Sequence, residues 1–299
     1  MRMTAEAAFA PMRPDPNRSL PALEASIMST FRMVCAAVLL LGHAGGAWAL
    51  GDVQVSVANG KMTILGDANP NSIQISPGIG TGAFVVTGID GTAVNGTPAA
   101  IVPDVRKVKI EMGAGQDSVQ ILQVDIDDTF QAQMGKDQDS FLMSGGRVKG
   151  NLQAKAGKDG DDVTINAGAR VGGRLTIGTG KKNDTITVNN ASIGGGLTIT
   201  TGGGNDQINV QFTNLDPGEE SEINAGDGFD NVAFIDVNFE DDVDLELGDG
   251  DDDVLVQDCD FDGEIDADGG DGDDELNLSG DNSFDLGERR RVVDFEEFD

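Results

Sequence analysis

"GGDGDDELN", residues 269–277, sets three glycines and three aspartates ahead of a single leucine, Leu276. Alone, the stretch reads either as an unfolded acidic run or as a folded turn with a cation site. Recurrence decides between them. Read from a glycine, the pattern is G-x-x-x-D-x-Φ, where Φ is Val, Ile, Leu or Phe. It appears as "GAGQDSV" at Gly113, "GKDQDSF" at Gly135, "GKDGDDV" at Gly157 and "GKKNDTI" at Gly180. It continues as "GGGNDQI" at Gly202, "GDGFDNV" at Gly226, "GDGDDDV" at Gly248 and "GDGDDEL" at Gly270. The aspartates are Asp117, Asp139, Asp161, Asp184, Asp206, Asp230, Asp252 and Asp274, spaced by 22, 22, 23, 22, 24, 22 and 22 residues. A near-constant period of this length is the mark of a solenoid.

The remainder of each repeat supports short strands. An apolar pair at period two follows the aspartate, as in Val163/Ile165, Ile186/Val188 and Val254/Val256. A lone apolar residue comes next (Val148, Val171, Ile193, Phe261). A second pair then precedes the following glycine, as in Leu175/Ile177, Leu197/Ile199 and Leu245/Leu247. Strict alternation buries one face of a strand. Small residues between the runs, as in "ARVGGR" and "NASIGGG", mark corners. The expected fold is therefore all-β: a parallel β-helix of eight coils with three short strands each. A flatter two-sheet β-roll is the alternative. At a coil spacing of about 4.8 Å the rod is roughly 35–40 Å long. An unfolded acidic segment would show no apolar register.

Four segments follow from this frame. Residues 105–288 are the repeats. Residues 50–104 form an N-terminal β cap, in which "VQVSVANGKMTIL" reads as a hairpin around Asn59-Gly60. "NSIQIS" fits a degenerate first coil, and "GAFVVTGIDGTAVNG" another strand and turn. Residues 289–299, "RRRVVDFEEFD", form a C-terminal cap. There Phe295 and Phe298 plug the last coil, and Arg289, Arg290 and Arg291 offset the acidic coils beside them. Such ends need covering because they expose core and strand edges. Residues 1–49 read as a signal peptide of the Sec type, with Met28 as a possible start and 1–27 as an extension. Arg32 precedes the apolar run "MVCAAVLLL", and "AWA" at 47–49 is a small-x-small cleavage site. The run is too short to span a bilayer. The mature chain is thus expected to be exported, with no transmembrane segment.

Composition narrows the chemistry. Cleavage after residue 49 removes the only histidine (His43), the only tryptophan (Trp48) and one of two cysteines (Cys35), and tyrosine is absent throughout. Cys259 is then the sole thiol, expected as a small buried residue. No histidine general base, Ser-His pair or zinc site is left, so no enzyme activity is expected. Residues 105–190 carry 12 Lys/Arg and 11 Asp/Glu, whereas 191–288 carry 30 Asp/Glu and no basic residue. That surface excludes nucleic acid as a partner. It repels itself unless cations bind it. The run Arg170, Arg174, Lys181 and Lys182 reads as a solvated face balancing its carboxylates, with an acidic polysaccharide as the alternative partner.

Stacking brings each G-x-G-x-D turn against its copy in the next coil. Glycines let the backbone turn carbonyl oxygens into the gap, and the aspartate adds a carboxylate. Two neighbouring turns then provide the six to eight hard oxygens that Ca²⁺ prefers over Mg²⁺. "GGDGDDELN" also resembles, at every defined position, the G-G-x-G-x-D-x-U-x nonapeptide of haemolysin-type (RTX) calcium-binding repeats. "LGDGDDDVL" (247–255) and "AGDGFDNVA" (225–233) match it at all but the first glycine. The resemblance implies a right-handed coil with calcium held between turns. It implies Asp230, Asp252 and Asp274 as sixth-position ligands, and Asp227, Asp249 and Asp271 at the third position. Gly226, Gly228, Gly248, Gly250, Gly270 and Gly272 shape the turns. RTX arrays place a motif about every nine residues, while this chain places one per 22, so only one edge could hold metal.

The motif is unequal along the rod. Lys136, Lys158 and Lys181 follow the motif glycine in early coils, and Asp227, Asp249 and Asp271 in late ones. Metal is therefore expected in the last three or four motifs. The middle aspartates are expected to bond their own backbone. The leading functional expectation is a secreted or cell-surface calcium-binding solenoid with a structural, adhesion or matrix role. The alternative is a polysaccharide-active β-helix enzyme, a lyase or glycosidase. Against that alternative, "NLDPGEESE" (214–222) is the main insertion able to build a groove.

Overall fold

The computed structural model describes residues 51–216, 218–284, 290–295 and 297–298, with the side chains of Arg290, Glu297 and Phe298 outside that description. The expectations for residues 1–49, for Arg289 and for the Arg290 and Phe298 side chains fall outside these residues. Every regular element described is a strand. Among the described residues no helix is long and apolar enough to cross a membrane.

Each coil contributes three strands. The strand entering the motif glycine recurs as Lys107–Ala114, Phe130–Lys136, Leu152–Lys155, Leu175–Gly178, Leu197–Gly203, Ser221–Asp227, Val243–Asp249 and Ile265–Asp271. These pair in parallel, one coil to the next, as in Leu152↔Leu175↔Leu197 and Gly226↔Gly248↔Gly270. The strand leaving the aspartate recurs from Ser118–Leu122 to Glu275–Ser279, again in parallel register, as in Val163↔Ile186↔Ile208. A two-residue strand ends the coil at Asp125–Ile126, Arg147–Val148, Arg170–Val171, Ser192–Ile193, Asp260–Phe261 and Ser283–Phe284. In two coils this third strand is continuous with the second, in Gln207–Leu215 and Asn231–Phe239. The solenoid of about eight coils is thus the expected one, with a three-stranded coil.

The period-two residues are the core. Val163, Ile165, Ile186, Val188, Leu175, Ile177, Leu197 and Ile199 are fully buried. Because register is kept, each apolar side chain sits on its own copy, and each fully buried one contributes about 1.5–3 kcal/mol. The lone apolar position of the third strand changes along the rod. It is Val148, Val171, Ile193 and Leu215 in the middle, then Phe239, Phe261 and Phe284. Those three rings stack with centroids 5.0 and 5.2 Å apart and planes within 10°. Cys259 is fully buried, as the sequence suggested, and burial raises its thiol pKa.

The ends are closed differently. Asp52–Ala58 and Lys61–Leu65 form the antiparallel hairpin, with Ala58 paired to Lys61. Asn59 and Gly60 both take positive φ, 54° and 75°, as a two-residue primed turn demands. Lys61–Leu65 and Ser72–Pro77 each pair in parallel with the first full coil, so together they are a coil in all but spacing. Beyond Ser72–Pro77 the strands Phe84–Ile89 and Ala99–Val102 run antiparallel, which ends the repeating edge. At the other end Arg290–Val293 continues the parallel pairing onto Ile265–Asp271. Phe295 packs against the core, in keeping with a plug. Arg291 bonds Asp266 at 2.5 Å and Asp268 at 3.1 Å, which offsets acidic charge as expected.

Candidate functional site

The motif aspartates form one continuous buried ladder. Asp117, Asp139, Asp161, Asp184, Asp206, Asp230, Asp252 and Asp274 are each at most 3% exposed. Every one stands immediately before a strand, so its N–H has no ladder partner on its own coil. Instead the Asp117 N–H donates to Asp139 Oδ1 at 2.7 Å, and the Asp139 N–H to Asp161 Oδ1 at 2.8 Å. The same bond continues from Asp161 to Asp184, Asp184 to Asp206, and Asp206 to Asp230. It ends with Asp230 to Asp252 at 2.7 Å and Asp252 to Asp274 at 2.9 Å. The carbonyls run alongside: Asp139 O, for example, accepts from the Asp162 N–H at 2.9 Å.

This corrects one expectation. The middle aspartates do not bond their own backbone; they reach back one coil. Parallel stacking places an unpaired N–H of the previous rung closer to the carboxylate than any free donor of its own turn. The first rung was also missed. Asn71 takes the aspartate position of the degenerate coil, and its N–H donates to Asp117 Oδ1 at 2.7 Å. The signal was present in "DANPNSI" (67–73), where Asp replaces the motif glycine and Asn the aspartate.

The second carboxylate oxygen is different. Oδ2 of Asp117, Asp139, Asp161, Asp230 and Asp252 is buried without a hydrogen-bond partner, whereas at Asp184 and Asp206 the hydroxyls of Thr179 and Thr201 stand near enough to favour the ionised form. It points into its own turn: Asp161 Oδ2 lies 3.6 Å from where a Cβ on Gly157 would stand. Burial pushes these carboxyls up, to about 6 for Asp117, about 8 for Asp139 and about 7 for Asp161. Asp184 rises to about 6, Asp230 to about 7 and Asp252 to about 6, and Asp206 is also raised. At Asp139 and Asp230 neighbouring rungs add like charge, while the N–H bond from the previous rung pulls the value back. A buried oxygen of this kind requires a proton, a water or a cation.

The turn glycines are dictated by stacking. A Cβ on Gly226, Gly248 or Gly270 would lie 2.2, 1.8 or 1.9 Å from the carbonyl oxygen of the glycine one coil earlier. On Gly228, Gly250 or Gly272 it would lie 1.6, 1.4 or 1.7 Å from such an oxygen. No side chain fits there. Asp227, Asp249 and Asp271, by contrast, hold their side chains exposed on the outer edge. Their carbonyls accept from the N–H of Gly204, Gly228 and Gly250 at 2.7, 2.7 and 2.8 Å. Each carbonyl keeps a second lone pair.

The fit to a hard cation follows from these atoms. Among the described residues no three carboxylate, histidine or cysteine side chains converge as a metal-holding group. A cation would therefore draw on one buried Oδ2 per turn and on backbone carbonyls. Asp230 and Asp252 supply such an oxygen, and Asp274 continues the same ladder. The lysine-bearing coils hold the same oxygen, so the acidic edge, not the ladder, would select the late coils for a cation. The basic run is divided: Arg174 pairs with Glu219 at 2.8 Å, while Lys181 and Lys182 stay exposed. Comparison with known proteins finds no matching family model, no matching curated protein and no matching solved structure.

Proposed function

We propose that this chain is a secreted, calcium-binding β-solenoid of the RTX-like kind, serving structure, adhesion or attachment at a cell surface or matrix. The observation that supports it is the buried Oδ2 of Asp230 and Asp252, left without a hydrogen-bond partner beside glycine-shaped turns. Asp230, Asp252 and Asp274 would supply carboxylate oxygens. The carbonyls of turns 226–228, 248–250 and 270–272 would supply the rest, an oxygen set of the type Ca²⁺ takes. Calcium would balance the charge of buried carboxylates whose ionisation burial disfavours. It would also relieve the repulsion among Asp227, Asp249 and Asp271. The leader-like residues 32–49 support export to a calcium-rich compartment. Partners outside the cell would be polysaccharide or surface polymers.

The test is a thermal melt followed by circular dichroism, with calcium and with chelator. The reading expects a large rise in melting temperature with calcium and a gain in β signal. An unchanged melt with no calcium uptake removes the calcium claim and leaves the ladder as purely structural.

A further inference from the structure

The residue after each motif glycine forms a second row along the glycine edge. Over seven successive coils it reads Lys136, Lys158, Lys181, Gly203, Asp227, Asp249 and Asp271. All six charged side chains are exposed. None makes an ion pair with another described residue. Reversed about Gly203, this row is its own charge complement. A copy turned by 180° about an axis crossing the edge at Gly203 sets Lys181 against the second copy's Asp227. The same turn sets Lys158 against its Asp249 and Lys136 against its Asp271. Both rods share one coil spacing, about 4.8 Å, so the pairs stay in step. Side-by-side parallel rods would instead set lysine on lysine.

The flanking rows agree. One residue further on stand Asp137, Asp159, Lys182, Gly204, Gly228, Gly250 and Gly272. The two acidic residues of the basic half thus face the second copy's Gly272 and Gly250, where no like charge stands. Asp137 is also turned aside, accepting from the Gly115 N–H at 2.9 Å. In the next row Phe229 is 58% exposed. Reversal places it over Asn183, at a depression of about 540 Å³ lined by Gly180, Gly202, Gly203 and Gly204 together with Lys181, Lys182, Asn183 and Asp227. An exposed aromatic ring meeting a glycine-rich hollow near the centre of an interface is a typical anchor.

We propose that the glycine edge is a self-association surface, joining two copies of this chain antiparallel about a twofold axis at Gly203. The contact is isologous and closes as a dimer. Steering comes from six opposed charge pairs and anchoring from two Phe229 rings. The proposal does not rest on calcium, and its test is run with chelator.

The full chain is measured by light scattering after size exclusion. A dimer is expected at low salt. It should weaken about tenfold or more between about 0.1 M and 1 M salt, as the screening length falls from about 10 Å to about 3 Å. Two triple variants are then compared, Lys136→Glu/Lys158→Glu/Lys181→Glu and Asp227→Lys/Asp249→Lys/Asp271→Lys. Each alone carries a single sign along the edge and should be monomeric. Mixed in equal amounts, they should pair at the mass of two chains. Phe229→Ser should weaken the wild-type dimer. Gly203→Cys gives a readout that needs no charge change, because a Cβ there meets nothing nearer than 3.7 Å. It should yield a disulfide-linked dimer under mild oxidation, and Ala114→Cys should not. A monomeric wild type at low salt, a mixture that stays monomeric, an open series of larger species, or failure of Gly203→Cys to cross-link would each overturn the proposal.

Discussion

Asp139→Asn tests the ladder where no metal is invoked. Asp139 is 2% exposed, and burial lifts its carboxyl from 3.8 to about 8. The sign follows from linkage. A carboxyl raised on folding binds a proton that the unfolded chain releases, so its stability contribution is full below the unfolded value near 3.8. It is lost as pH rises toward 8. At about 1.4 kcal/mol per unit, the loss between 3.8 and 8 has an upper bound of about 6 kcal/mol. Solvent relaxation brings a working figure nearer about 2 kcal/mol. An asparagine keeps the acceptor for the Asp117 N–H and never ionises. Its amide has a precedent in Asn71, whose Nδ2 donates to Asn69 O at 2.6 Å. Urea denaturation in chelator at pH 5 and pH 8 is the assay. Asp139→Asn should be more stable than wild type at pH 8, by about 2 kcal/mol, with a smaller gain at pH 5. Equal stability at pH 8, or the same gain at both pH values, would refute the argument.

Three further outcomes are expected. Gly248→Ala places a Cβ 1.8 Å from Gly226 O at a φ of 109°, so it should cost more than about 3 kcal/mol in urea denaturation; a cost under about 1 kcal/mol would mean the coils slide apart freely. Phe261→Ala removes the middle ring of the Phe239–Phe261–Phe284 stack and should cost about 3–5 kcal/mol, read from the same transition. Arg291→Ala breaks only exposed pairs to Asp266 and Asp268, so it should shift the urea transition little, and the shift should vanish in high salt; a large loss that persists in high salt would mean Arg291 packs structurally.

The coil was legible because one register runs through the whole repeat. Period-two apolar pairs, a lone third position and a fixed glycine–aspartate turn each imply the same stacking. Val171 and Ile193 fell on a third strand as expected because a corner on each side left them nowhere else to point. The Asn59-Gly60 hairpin was legible from a dipeptide that tolerates two positive φ angles. What the sequence hid lies between coils. Whether Asp139 bonds its own turn or the Asp117 N–H depends on which donor stacking leaves free, and local spacing is silent on that. Asn71 was hidden because asparagine and aspartate share the acceptor the rung needs, while its coil lacks the glycine that marks the others. The glycines, read as openers of a metal gap, are required already by the approach of one turn to the next.

The most direct test of the central claim is a calorimetric calcium titration of the full chain beside two triple variants. One is Asp230→Asn/Asp252→Asn/Asp274→Asn, and the other is Asp117→Asn/Asp139→Asn/Asp161→Asn. The account predicts calcium uptake by the wild type and by the second variant, with uptake lost in the first. No uptake by the wild type, or equal uptake by all three, would contradict it.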